Sequence, residues 1–169
     1  AGAGGGYTKT IKNVAVEVDT EYTITIGSGD TGHAAYRTDG KSGGTTSAFG
    51  KSALGGSGGK ANCLGGDGGS GGGAAGIGSN DRGAAGGMDG SNGGSVDSRS
   101  GGKGQGTTTR EFGEENGKLY ASGGDGYKSP PTARDANSGN GGHGNGYGEN
   151  KDGAGGSGIA IIRNAREAA

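Results

Sequence analysis

Tryptophan is absent from this chain of 169 residues, cysteine and methionine occur once each, and proline occurs only twice. With two prolines and no unbroken Gly-X-Y register, a collagen triple helix is excluded. Cys63 stands alone, so no internal disulfide can compensate for a weak core. Hydrophobic residues make up 26% of the chain and aromatic ones 5%. That is too little apolar area for burial to offset chain entropy in the usual way. No apolar run is long enough to cross a bilayer, and membrane insertion is not expected. Charge of one sign is missing too: 16 Lys and Arg are interspersed with 17 Asp and Glu, for a net charge of -1. No basic stripe marks a nucleic-acid surface.

What the chain does have is glycine, 49 of them. Glycine loses more conformational freedom on folding than any other residue, so a glycine-rich chain is disordered unless something other than side chains coheres. The run LGGDGGSGGGAAG (64–76) suggests what that is. Its glycines fall at 65, 68 and 71, and again at 66, 69 and 72. A left-handed extended helix has three residues per turn and a rise of ~3.1 Å, so both glycine columns lie along fixed faces. With no Cβ there, neighbouring backbones can approach and hydrogen-bond, helped by weak Cα–H···O contacts. The expected core is therefore main chain, with polar third-position residues such as Asp67 and Ser70 outside or at the ends. The triplet phase slips repeatedly, which implies short rods joined by turns.

The ends of the chain differ from its middle. YTKTIKNVAVEV (7–18) alternates like a half-buried strand, Asp19 to Glu21 make a polar turn, and YTITI (22–26) reads as a second strand. IAIIR (159–163) is the other strongly apolar run. The expected fold class is irregular/β: a bundle of polyglycine II helices with a small terminal β-sheet, made of a hairpin over 7–26 plus a strand at 159–163. Residues 107–121 read as two arms around the turn pair Asn116-Gly117. The whole of 1–169 forms one domain with a flexible tail at 164–169, and the abrupt opening AGAGGGYTKT reads as a fragment of something longer.

Chemical motifs fail on their context. GSGDTG (27–32) matches G-x-G-x-x-G after an expected strand, but the following HAAYRTDGKSGG cannot open the helix that a dinucleotide site needs. FGKS (49–52) has Thr45 where a phosphate-binding loop needs glycine. His33 and His143 stand apart, Cys63 has no partner at ligand spacing, and GGDGGS and GGMDGS approach a calcium nonapeptide without repeating it. No catalytic triad is visible. The chain is expected to be no enzyme and to use no cofactor or metal.

The order GGYTKT, YTITIGSG, TSAFGKSALGGSGG, GQGTTTREFGEENGKLYASGGDG and GGSGIAIIR resembles the glycine-rich tip domains of bacteriophage and prophage tail fibres. TTTREFGE…LYA…GG (107–124) and GGSGIAIIR (155–163) are its most specific parts. The resemblance implies a receptor-binding adhesin at the fibre tip, on the outside of the virion. It also implies a homotrimeric parent assembly, contact with the rest of the fibre, and a bacterial surface receptor, either glycan or envelope protein. In such adhesins the loops between glycine-rich helices touch the receptor. Here the polar insertions 30–42, 77–82 and 127–138 carry the candidates His33, Tyr36, Arg37, Asn80, Asp81, Arg82, Tyr127, Lys128 and Arg134, with Tyr147 beside them. Exposed tyrosine supplies contact area at low entropy cost, with Arg and Asn nearby for hydrogen bonds. The alternatives are an ice-binding bundle and a structural glycine-rich protein. Charges at Lys60, Asp67, Asp89 and Lys103 spoil a flat ice-binding array, and the irregular insertions argue against a uniform structural repeat.

Overall fold

The computed structural model describes residues 1–32, 38–75, 83–86, 93–95, 98–104, 115–145 and 152–164. Among them there is no helix, and the regular structure is a three-stranded antiparallel sheet. Its strands are β1 (Ile24–Thr25), β2 (Thr46–Ala48) and β3 (Lys51–Ala53), in the order β1-β2-β3. Ala48 faces Lys51, which leaves Phe49-Gly50 as a two-residue connection. Both have positive φ, 50° and 68°, the geometry that matches hairpin twist. A bulky residue rarely accepts that conformation. Phe49 is held there against Tyr22, with ring centroids 5.5 Å apart.

This sheet differs from the expected one. The chain does turn at Val18-Asp19, but residues 7–18 and 22–26 form no ladder, and β1 pairs with β2 instead. Asn13, at φ 56°, interrupts the first stretch in mid-run, and the N–H of Glu17 donates to the Tyr22 hydroxyl (2.9 Å) rather than to a backbone carbonyl. Residues 159–163 are likewise not a strand. The hairpin at 46–53 was hidden because Phe-Gly is an unusual pair for such a turn. Of the expected arms at 107–121, residues 107–114 lie outside the described residues, and a turn does occur at Glu115-Asn116.

Most of the molecule is held by main-chain hydrogen bonds between segments distant in sequence. Residues 2–7 set the pattern. Gly2 and Gly5 donate to Gly73 and Ser70, Ala3 and Gly6 to Gly142 and Gly139, and Gly4 and Tyr7 to Ser57 and Leu54. Consecutive residues thus serve three neighbours, and every third residue serves the same one. The spacing recurs where Gly40 and Gly43 donate to Gly59 and Gly56, and where Gly123 and Gly126 donate to Gly102 and Arg99. It recurs again where Gly153 and Gly156 donate to His143 and Asn140.

The interior follows from this. Among the described residues the buried apolar side chains are Ala74, Tyr120 and Ala121, and glycine backbone supplies most of the rest. A Cβ added at Gly2, Gly4, Gly5, Gly66 or Gly72 would collide with the carbonyl oxygens of Gly124, Asp67, Ala121, Ser57 and Gly2 respectively. The run at 64–76 is not one straight rod over its described residues, 64–75. It bends at Gly69-Ser70, and the Gly72 N–H reaches back to the Gly66 carbonyl. The reversal carries Ser70 inside, fully buried with its Oγ unpartnered, whereas Asp67 stays exposed as its column predicts.

Following the hydrogen bonds gives the molecule two ends. Ala1, Gly59, Gly126 and Gly144 mark one; Tyr7, Leu54, Gly139 and Gly158 with the small sheet mark the other.

Candidate functional site

At the Ala1 end the segment 120–126 closes with Gly126 bonded to the Arg99 carbonyl, and the chain turns out through Tyr127 and Lys128. The Arg99 guanidinium lies 4.7 Å from the centre of the Tyr127 ring, a cation–π contact on a half-buried tyrosine. The Lys128 N–H donates to Gly144, and its ammonium stands 4.0 Å from the Asp125 carboxylate. Nearby, Lys60 pairs with Asp39 at 3.5 Å, and Asp39 Oδ1 accepts the Ala61 N–H at 2.8 Å. That backbone bond, more than the lysine, holds the Asp39 carboxyl below its ordinary pKa.

Arg134 behaves differently. Residues 130–137 do not loop away; they run along 153–157, with the Arg134 N–H on Ala154 and the Asn137 N–H on the Ser157 hydroxyl. The Arg134 side chain turns inward, placing Nη1 2.8 Å from His143 Nε2 and donating from Nη2 to the Ser122 hydroxyl at 2.6 Å. His143 is 2% exposed. Its Nδ1 accepts the Asp125 backbone N–H at 3.0 Å and lies 3.2 Å from Asp125 Oδ2. A guanidinium and a backbone N–H are both donors, so each ring nitrogen faces a donor and the site favours the imidazole without an added proton. Burial above all, and then the Arg134 charge with Lys128 behind it, pushes the imidazole pKa down to about 4, against the pull of Asp125. The ring is a neutral bridge that ties the 130–137 strap to the body. Sequence spacing gave no sign of it: His143 reads as isolated, because its partners come from segments that only the fold brings together.

Of the residues expected to bind, then, the structure brings Tyr127 and Lys128 to one surface and makes Arg134 an internal anchor. His33, Tyr36, Arg37, Asn80, Asp81, Arg82 and Tyr147 lie outside the described residues. The residues that flank them converge at the Ala1 end. Gly32 packs on Asp152, Asp39 meets Lys60, the Ala75 N–H reaches Cys63, and the Asn145 N–H donates to Asp152 Oδ1 at 3.0 Å. Among the described residues no three His, Cys, Asp or Glu side chains gather as metal ligands.

A body without helix among its described residues, cohered by main-chain hydrogen bonds between glycine segments, defines the class of protein. The particular family is the glycine-rich domain, whose profile matches residues 1–165, and the chain belongs to it. No curated protein and no solved structure matches the chain.

Proposed function

We propose that this chain is a non-enzymatic receptor-binding domain, a bundle of polyglycine II-type helices that presents polar loops at one end. The period-three donation supports the helical part of this reading, since a helix with three residues per turn addresses three neighbours in rotation. The observation that carries the functional part is the convergence at the Ala1 end of Tyr127, Lys128 and the flanks of the insertions around 33–37, 77–82 and 146–151. Binding residues belong on loops positioned by a rigid scaffold, and a main-chain core is indifferent to what those loops contain. The resemblance to tail-fibre tips supplies the setting: the outer end of a phage-like fibre, facing a glycan or envelope protein on a bacterial surface.

The experiment is a pull-down against fractionated bacterial envelopes. The whole chain is expected to be retained by one fraction. A variant with 33–37, 78–82 and 127–129 replaced by Gly-Ser turns is expected to fold and to lose that retention. The strap 130–137 is left intact because it packs along the body. Undiminished retention of the trimmed variant would remove the reading.

A further inference from the structure

The Tyr7 end has the opposite character. Residues 9–21 project as an arm that is exposed throughout, and Val16, Val18, Leu54 and Ile162 are 63%, 89%, 60% and 56% exposed. So much exposed apolar surface in one region marks an interaction site. An open cleft of about 1020 Å³ runs beside the arm, lined among others by Tyr7, Ile11, Val14, Val16, Leu54 and Ile161. Its basic lining groups are Lys9, Lys12, Lys51 and Arg163, with Lys41 beside Gly40 towards the Ala1 end. Its two carboxylates, Asp30 and Asp152, lie towards the Ala1 end.

The tip of the arm is the converse of this cleft. It places Val18 at a tight turn between Glu17 and Asp19, with Glu21 just beyond. An apolar residue at the apex of an acidic turn serves nothing in its own fold. No described residue takes the main-chain groups of 9–16, which stand open like an unpaired strand edge.

We infer that the arm is a self-association device: the acidic tip of one copy docks in the basic-rimmed apolar cleft of a second copy, and the second copy returns the contact. Two arms laid antiparallel about Asn13 place Lys9 opposite the partner's Glu17 at both ends, because the two residues are equally distant from that centre. Each Val18 then reaches the partner's cleft, and the open main chain of 9–16 gains a complementary edge. The contact uses one patch twice, which is the requirement for a closed two-fold dimer. A second copy is the occupant because tip and cleft complement each other in charge and shape and both belong to this chain.

Sedimentation equilibrium on the whole chain tests this with two charge reversals at exposed positions, Glu17→Lys/Glu21→Lys and Lys9→Glu/Lys12→Glu. The wild type is expected to be a dimer. Each variant alone opposes like charges and is expected to weaken dimerisation by at least about tenfold. An equimolar mixture of the two restores opposite charges and is expected to dimerise again. Protection of the Gly2–Gly6 amides from exchange shows that both variants are folded. A wild type that is monomeric up to roughly millimolar protein, where association is worth about 4 kcal/mol, overturns the inference. So does a dimer that neither reversal weakens, or a mixture that stays monomeric.

Discussion

A methyl group at Gly5 would run into the Ala121 carbonyl, whereas at Gly6 the nearest atoms, the carbonyl oxygens of Gly139 and Leu54, are 3.5 and 3.6 Å away. Adjacent glycines therefore differ in what they tolerate. Gly5→Ala is expected to cost about 2–3 kcal/mol or to unfold the chain, since main chain cannot rotate aside as a side chain does. Gly6→Ala is expected to be neutral or to stabilise by up to about 1 kcal/mol through the unfolded state. Urea denaturation of the pair checks both. His143 sets a second residue-scale expectation. Its folded pKa of about 4 lies below the ordinary 6.5, so as pH falls the unfolded chain takes up a proton first. Stability is full above pH 6.5, falls between 6.5 and about 4, and levels off below; the loss is at most about 3 kcal/mol. His143→Gln is expected to flatten this slope. Arg134→Met is expected to cost about 1–3 kcal/mol through the orphaned Ser122 hydroxyl and ring nitrogen, and to narrow the pH window by removing a nearby cation. Denaturation midpoints from pH 7 to 4 read both effects.

At the scale of elements, the contrast is between segments that share hydrogen bonds and the arm that does not. In the monomeric Glu17→Lys/Glu21→Lys variant, amides of residues 2–7 are expected to exchange slowly and those of 9–16 quickly, followed by NMR. Uniformly fast exchange would show that the glycine segments do not cohere. The triplet spacing at 65–72 did announce a period of three, because that period needs only glycine at fixed intervals. It could not announce the reversal at Gly69-Ser70, since glycine permits a turn wherever it permits a rod. Alternation at 7–18 suggested a strand, yet alternation reports which side chains share a face and not whether a partner edge exists. The better-formed hairpin lies at 46–53, where Thr46 Oγ1 also accepts the Gly27 N–H at 3.0 Å.

For the molecule as a whole, a core of main chain should leave a calorimetric signature. Heat-capacity change on unfolding follows exposed apolar area, and little is buried here. The value is expected to fall well below the roughly 12–15 cal/mol/K per residue of ordinary domains, read by differential scanning calorimetry. A value in the ordinary range would mean that an oily core exists after all. The composition by itself determined that side chains could not hold this protein together and that glycine backbone had to, because 49 residues without a Cβ leave no other material for an interior. It also marked the polar insertions and the apolar ends as different kinds of surface. Only the tertiary structure decided which flanks of the insertions share an end, that Arg134 faces His143 instead of solvent, and that the apolar arm stands uncovered. The reason is physical. Glycine segments pair through identical amide groups that carry no side-chain label, so register and neighbour are chosen by the closed set of hydrogen bonds that the whole chain can satisfy at once.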